Sequence, residues 1–336
     1  MAKMKAVQVS KAGAAFELVE REIPEPGLRQ VRIKVEACGI CHSDAFVKTG
    51  AYPGLVLPRI PGHEIAGRVD AVGLDVTAWR AGQRVGVGWH GGHCFECNAC
   101  RKGLFINCEN AAVTGISFDG GYAEYVVVPQ AAVARIPDQL EAVDAGPLLC
   151  AGITTYNALR NSGARPGDTV AVLGIGGLGH LAIQYASRMG FRTVAISRGA
   201  EKEVLARQLG AHEYIDTQAL TAAEGLTKLG GADLVLATAP NSDAIGSTME
   251  GLKARGKLLI VAAPFEPLKI SAFGMLSGKT IAGWSSGSAI DSEEAMAFSA
   301  LMNVRPRVEV FKLDQAEQAF TKLMENQVQF RAVLTP

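Results

Sequence analysis

Four of the seven cysteines in this 336-residue chain fall in one short stretch. Cys94, Cys97, Cys100 and Cys108 are spaced Cys-x2-Cys-x2-Cys-x7-Cys. The odd count argues against a disulfide framework. So do residues Met1 to Ser10, which mix lysine with apolar residues and lack the apolar core of a signal peptide. Thiols kept reduced in a cytoplasmic setting hold a soft divalent ion as thiolates, and four of them close a tetrahedral structural site. The other three cysteines, Cys38, Cys41 and Cys150, are scattered. Cys41-His42-Ser43-Asp44 and Gly62-His63-Glu64, taken with Cys150, supply two thiolates and an imidazole. Three protein ligands leave a fourth position open to water or substrate, which is how a catalytic zinc differs from a structural one. Taken singly, a buried cysteine is commonly a small hydrophobe, and Cys38 reads that way. The joint occurrence of the others carries the metal reading.

A second constellation handles phosphate. Gly174-x-Gly176-Gly177-x-Gly179 follows an apolar strand pattern and opens a helical one, the context that a dinucleotide fingerprint requires. Its glycines make the tight turn, admit a pyrophosphate to the backbone and let helix pack on strand, while the helix N-terminus offers N–H groups and a positive dipole end. At the end of the next strand stand Ser197 and Arg198, with Lys202 one turn into the following helix. NAD enzymes usually place an acid there for the ribose 2′-hydroxyl. Ser, Arg and Lys suit a 2′-phosphate through charge-assisted hydrogen bonds, so NADP(H) is favoured over NAD(H). The alternative is a solvated basic edge.

The elements that must position these residues come in two textures. Up to about residue 150 the chain reads as strands and turns, with Val31 to Ala37, Glu64 to Val72 and Tyr122 to Val128 as strands. From Leu148 short apolar strands alternate with helical patterns, the signature of βαβ units on a parallel sheet. Strands are expected at Thr169 to Leu173, Arg192 to Ile196, Ala232 to Thr238, Lys257 to Ala262 and Thr280 to Trp284. Helices are expected up to Met189 and over Glu201 to Leu209. A helix near Ser292 to Met302 and a strand Phe330 to Leu334 form a tail expected to return to the first domain. Domains are therefore expected at 1–150, completed by 288–336, and at 151–287. Lysine plus arginine, 33, equals aspartate plus glutamate, 33, so no basic excess points to nucleic acid or an anionic membrane. No run approaches the roughly 18 apolar residues of a membrane span.

Together these motifs resemble the zinc-dependent alcohol dehydrogenases of the medium-chain dehydrogenase/reductase superfamily, over essentially the whole chain. The resemblance is carried by Gly39-Ile40-Cys41-His42-Ser43-Asp44, Gly62-His63-Glu64-x-x-Gly67, the four-cysteine stretch, Leu149-Cys150-Ala151-Gly152 and the glycine fingerprint. Leu148-Leu149-Cys150-Ala151-Gly152-Ile153-Thr154-Thr155-Tyr156 and the Ser197/Arg198 pair point to the cinnamyl-alcohol and broad bacterial branch. The resemblance implies an α/β protein, a GroES-like β-rich catalytic domain plus a Rossmann domain with a doubly wound parallel sheet. It implies two zinc ions per chain: Cys41, His63 and Cys150 on the catalytic one, Cys94, Cys97, Cys100 and Cys108 on the structural one. It further implies that Asp44 orients the histidine ligand, that Glu64 lies where it can reach the metal, and that Ser43 bonds the substrate oxygen. His42 and Arg331 are implied near the cofactor pyrophosphate and Thr154 near the nicotinamide. Trp89 lines the substrate pocket, with Phe46 and Trp284 as further aromatic wall. Many relatives carry a histidine at the position of Phe46, at the solvent end of a proton relay; this chain does not.

The implied activity is hydride transfer between NADP(H) and a primary aromatic or aliphatic alcohol–aldehyde pair, in a cytoplasmic homodimer or homotetramer. A polyol or sugar dehydrogenase suits the aromatic wall less well, and a zinc-free quinone reductase would not need the full ligand set. A non-catalytic, zinc-stabilised nucleotide-binding protein is the reading from another class, since fold alone does not prove function.

Overall fold

The computed structural model describes residues 2–336 and divides them into two compact units. One runs to Ile153 and resumes over Ser286–Pro336; the other is Thr154–Ser285. Among the described residues no helix is long and apolar enough to cross a membrane.

The discontinuous unit is built on one long strand, Gln30–Ile40. Its first half alternates, with Val31, Ile33 and Val35 buried, and its last residues from Ala37 to Ile40 are all buried. The alternation puts one face on the core; the continuous burial begins where the strand runs towards Cys41. The sheet places Val308–Lys312, Arg331–Thr335, Gln30–Ile40, Ile65–Val72, Arg84–Val87 and Val133–Arg135 side by side, with Tyr125–Pro129 also pairing with Gln30–Ile40. Arg331–Thr335 lies antiparallel to the end of Gln30–Ile40, with Ala332 opposite Ile40 and Leu334 opposite Cys38. The late strand thus borders the segment that leads into Cys41. Val308–Lys312, whose residues are half-buried or exposed, has no apolar period to announce it.

The second unit holds six parallel strands in the order Glu213–Asp216, Arg192–Ser197, Thr169–Leu173, Ala232–Ala237, Leu252–Ile260, Thr280–Gly283. Numbered along the chain this is 3-2-1-4-5-6, the doubly wound dinucleotide-binding order. Thr169–Leu173, in the middle, is buried throughout, as a parallel strand covered on both faces must be. Two strands depart from the sequence expectation. Glu213–Asp216 buries only Ile215, too little to read as a strand. Leu252–Ile260 starts five residues before the expected Lys257, because exposed Lys253, Ala254 and Arg255 interrupt its apolar pattern.

Candidate active site

Cys41 caps a short 3-10 turn, His42–Asp44, directly after the buried end of Gln30–Ile40. His63 and Glu64 immediately precede the strand Ile65–Val72 that pairs with it. Cys150 sits in a π-helical turn, Leu148–Gly152, between the helices Ala142–Pro147 and Ile153–Arg160. Such wide turns are rare and recur at functional positions. Ligand atoms of Cys41, His63, Glu64 and Cys150 all lie within 4.8 Å of one another, and the Cys41 and Cys150 sulfurs are 3.8 Å apart.

The electrostatics suit a cation. The hydrogen bond between the two thiols holds Cys41 well below the ordinary thiol range and pushes Cys150 well above it. Burial works against a charged His63, but the neighbouring Asp44 carboxylate prevails and holds the imidazole well above its usual value. Burial pushes Glu64 up to about 7, with Arg331 opposing. His63 Nε2 and Glu64 Oε2 are buried with no hydrogen-bond partner, an arrangement that is costly unless a metal takes the lone pairs. Two thiols, an imidazole and a carboxylate in one largely buried cluster are the donor set of zinc, and the residues fit it. His63 Nδ1 lies 3.3 Å from Asp44 Oδ1, the outer carboxylate that commonly orients a histidine ligand.

The other expected residues distribute around this cluster. Ser43 is half-buried and His42 exposed on the same turn. Trp89 meets His63 at 4.9 Å between centroids, Tyr52 meets Trp89 at 6.2 Å and Phe46 meets Tyr52 at 6.0 Å, all edge-on. Phe46 and Trp89 are therefore joined through Tyr52, which the sequence reading did not single out. Trp284 follows the last strand of the other unit. Arg331 ion-pairs with Glu64 and also donates from Nη2 to the Ile40 carbonyl. Its guanidinium is thus engaged inside the ligand cluster, a contact not foreseen from its expected place at the pyrophosphate.

The second cysteine group occupies 94–108. Sulfur separations are 4.0 Å for Cys94–Cys100, 3.9 Å for Cys97–Cys108 and 3.6 Å for Cys94–Cys108. Ligands about 2.3 Å from one tetrahedral zinc would be about 3.8 Å apart. Backbone N–H groups of Cys94, Cys97, Cys100 and Asn110 donate to sulfurs at 3.3–3.5 Å. The N–H of Cys97 helps hold Cys94 down to about 6, while burial pushes Cys100 up to about 12. Backbone dipoles thus offset charge here, and Arg101 and Lys102 are exposed. The set fits a closed zinc site.

In the second unit the fingerprint joins Thr169–Leu173 to the helix Gly179–Arg188. Gly174 has φ +96°, and a Cβ on Gly179 would lie 1.9 Å from the Gly174 carbonyl, so both positions exclude side chains. A Cβ on Gly176 would meet nothing within 4 Å, leaving the turn open to a phosphate. Thr238 Oγ1 donates to the Leu173 carbonyl at 2.8 Å and braces the turn. Ser197 is buried, Arg198 exposed and Lys202 half-buried. Asp216, opposite Ser197 in the sheet, accepts from the N–H groups of Gly199 and Gln218, both at 2.8 Å. Thr154 is buried at the start of Ile153–Arg160.

Comparison with known proteins agrees with these features. The family model described as alcohol dehydrogenase GroES-like domain matches residues 27–138, and that described as zinc-binding dehydrogenase matches 177–301. The alcohol dehydrogenase patD of Penicillium expansum is 47% identical over 96% of this chain and 95% of its own. An alcohol dehydrogenase of Geobacillus stearothermophilus is 40% identical over 98% of both. The solved structure of a cinnamyl alcohol dehydrogenase from Sorghum bicolor superposes with a TM-score of 0.88 at 30% identity, covering 99% of this chain and 98% of that one.

Proposed function

Because the chain belongs to the zinc-type alcohol dehydrogenases of the medium-chain dehydrogenase/reductase superfamily, we propose that it transfers hydride between NADP(H) and a primary aromatic or aliphatic alcohol–aldehyde pair. The observation that carries this reading is the buried, unpartnered Nε2 of His63 beside the Cys41 and Cys150 sulfurs. When bound, zinc supplies Lewis acidity toward an alcohol or carbonyl oxygen, and the nicotinamide accepts or gives the hydride.

The chain's own residues do the rest. Cys41, His63 and Cys150 hold the metal, and Asp44 keeps the proton of His63 on Nδ1. Glu64, paired with Arg331, is a fourth donor, a carboxylate, within reach of the same ion. Ser43 bonds the substrate oxygen and takes its proton in oxidation. Phe46, Tyr52 and Trp89 offer an aromatic wall that favours an apolar alcohol over a polyol. Gly174, Gly176, Gly177 and Gly179 receive the pyrophosphate, and Ser197, Arg198 and Lys202 receive a 2′-phosphate. His42 stands near the pyrophosphate and Thr154 near the nicotinamide. The working form is a cytoplasmic homodimer or homotetramer.

The test is absorbance change at the nicotinamide band with benzyl alcohol, benzaldehyde, sorbitol and a quinone, each with both cofactors. Turnover of the aromatic pair with higher kcat/KM for NADPH than NADH is expected, and Ser197→Asp should reverse that order by repelling the phosphate. Turnover of sorbitol alone, or of the quinone alone, would overturn the substrate class. A wild-type preference for NADH would leave Arg198 and Lys202 as surface charges.

A further inference from the structure

We propose that Tyr122 is a positioning residue for the zinc ligand His63, acting through Asp44. The inference rests on the reading of Cys41, His63 and Cys150 as zinc ligands. Three groups converge on the Asp44 carboxylate, which is 1% exposed. Its Oδ2 accepts from the Cys41 N–H at 2.9 Å and from the Tyr122 hydroxyl at 2.8 Å. Its Oδ1 is left to His63 Nδ1 at 3.3 Å.

An ionised carboxylate only accepts, so the imidazole must carry its proton on Nδ1 and leave the Nε2 lone pair for a metal. With two donors on Oδ2, the plane of the carboxylate is set and Oδ1 is aimed. With the backbone N–H alone, it can turn about Cβ–Cγ and offer His63 a poorer geometry. The hydroxyl of Tyr122 is therefore placed to fix the direction of a ligand it does not touch.

The ring is seated for this task. Tyr122 is fully buried, 78 residues from Asp44 along the chain. Its N–H donates to the Pro61 carbonyl at 3.0 Å, and its own carbonyl accepts from Val7 at 2.7 Å. Phe16 meets the ring edge-on at 5.9 Å. Gly62, the residue before His63, has φ +100°, and a Cβ there would lie 2.4 Å from the ring. The tyrosine thus packs against the backbone that carries His63 and bonds the carboxylate that orients its side chain. A phenylalanine would fill the same space, so packing alone does not require the hydroxyl.

Tyr122→Phe in the holoenzyme tests the assignment. Release of metal from the Cys41/His63/Cys150 site to a competing chelator should accelerate about 10-fold, the low end of the loss typical for outer partners of a ligand. Release from the four-cysteine group should not change. With Co2+ in place of zinc, the visible ligand-field bands should shift in the variant. In an Asp44→Asn background the same change should add nothing, because its effect runs through that carboxylate. Unchanged release and spectrum, or effects that add to those of Asp44→Asn, would leave Tyr122 a packing residue only. If Tyr122→Phe does not fold, 4-aminophenylalanine and 4-methylphenylalanine at position 122 carry the same comparison, since only the first keeps a donor. Metal absent from this site in the wild-type chain would sink the ligand reading itself; metal bound there but indifferent to position 122 would sink only the positioning role.

Discussion

Phe46 lies five residues past Cys41 and can neither take up nor give a proton. With its ring engaged by Tyr52, it continues the aromatic run that ends on His63. If Ser43 takes the substrate proton as proposed, that proton leaves through water or another group such as His42, so alcohol oxidation should be slow near neutrality and rise toward alkaline pH. Phe46→His should raise oxidation in the neutral range and leave high pH little changed. The gain is bounded by the roughly 10²–10⁴-fold that general acid–base help provides. A flat wild-type profile, with the variant merely less active, would make Phe46 a pocket residue. The residues that stood out in the sequence did so because their chemistry is unusual: thiols at metal spacing, an imidazole after glycine, glycines at a phosphate turn. Tyr122 and the pairing of Arg331 with Glu64 did not stand out. A tyrosine at the expected start of a strand, which instead begins at Tyr125, and an arginine in a late strand have no local signature, and their partners lie 78 and 267 residues away.

Among elements, the proposed structural zinc bears most directly on the four-cysteine stretch. From 94 to 108 only Cys100 and Cys108 are buried, while Phe95 and Leu104 are 61% and 52% exposed. So little buried apolar surface does little to order a loop, and under the proposed zinc reading a bound ion would supply the missing free energy. Cys100→Ser should lower the zinc content by about one ion per chain. Hydrogen exchange should show protection lost across 94–108 but kept in Thr169–Leu173. Retained metal with unchanged protection would show that the stretch holds itself. The same physics explains which elements could be read beforehand. Thr169–Leu173 after its first residue, Val194–Ile196 within Arg192–Ser197, and Leu234–Ala237 are continuous apolar runs because both faces are covered. Glu213–Asp216 and Val308–Lys312 are held by backbone pairing with a neighbour, which leaves little trace in residue type.

At the scale of the whole chain, the unit that holds the metal ligands is closed by residues that come after the entire Rossmann unit. The Glu64–Arg331 pair spans that insertion, with the two side chains 0% and 2% exposed. Removing one member of a buried pair strands the other charge, which commonly costs about 3–5 kcal/mol. Arg331→Leu should therefore lower stability by an amount of that order in urea unfolding. Glu64→Leu combined with Arg331→Leu should recover part of it, because no charge is then left unpaired. A single variant as stable as wild type would mean that Glu64, already pushed up to about 7 by burial, takes up a proton once its partner is gone. The late arrival of this strand also has a consequence for synthesis. The strands of the Rossmann unit are contiguous in the chain and can pair as they emerge, whereas Gln30–Ile40 waits for Arg331–Thr335. At 5–20 residues per second, roughly 9–36 s separate Cys150 from Arg331 on the ribosome. Through that interval two thiols stand beside a carboxylate whose arginine partner has not yet been made, so the nascent chain should be most open to oxidation and to capture of the wrong soft metal before its last strand has docked.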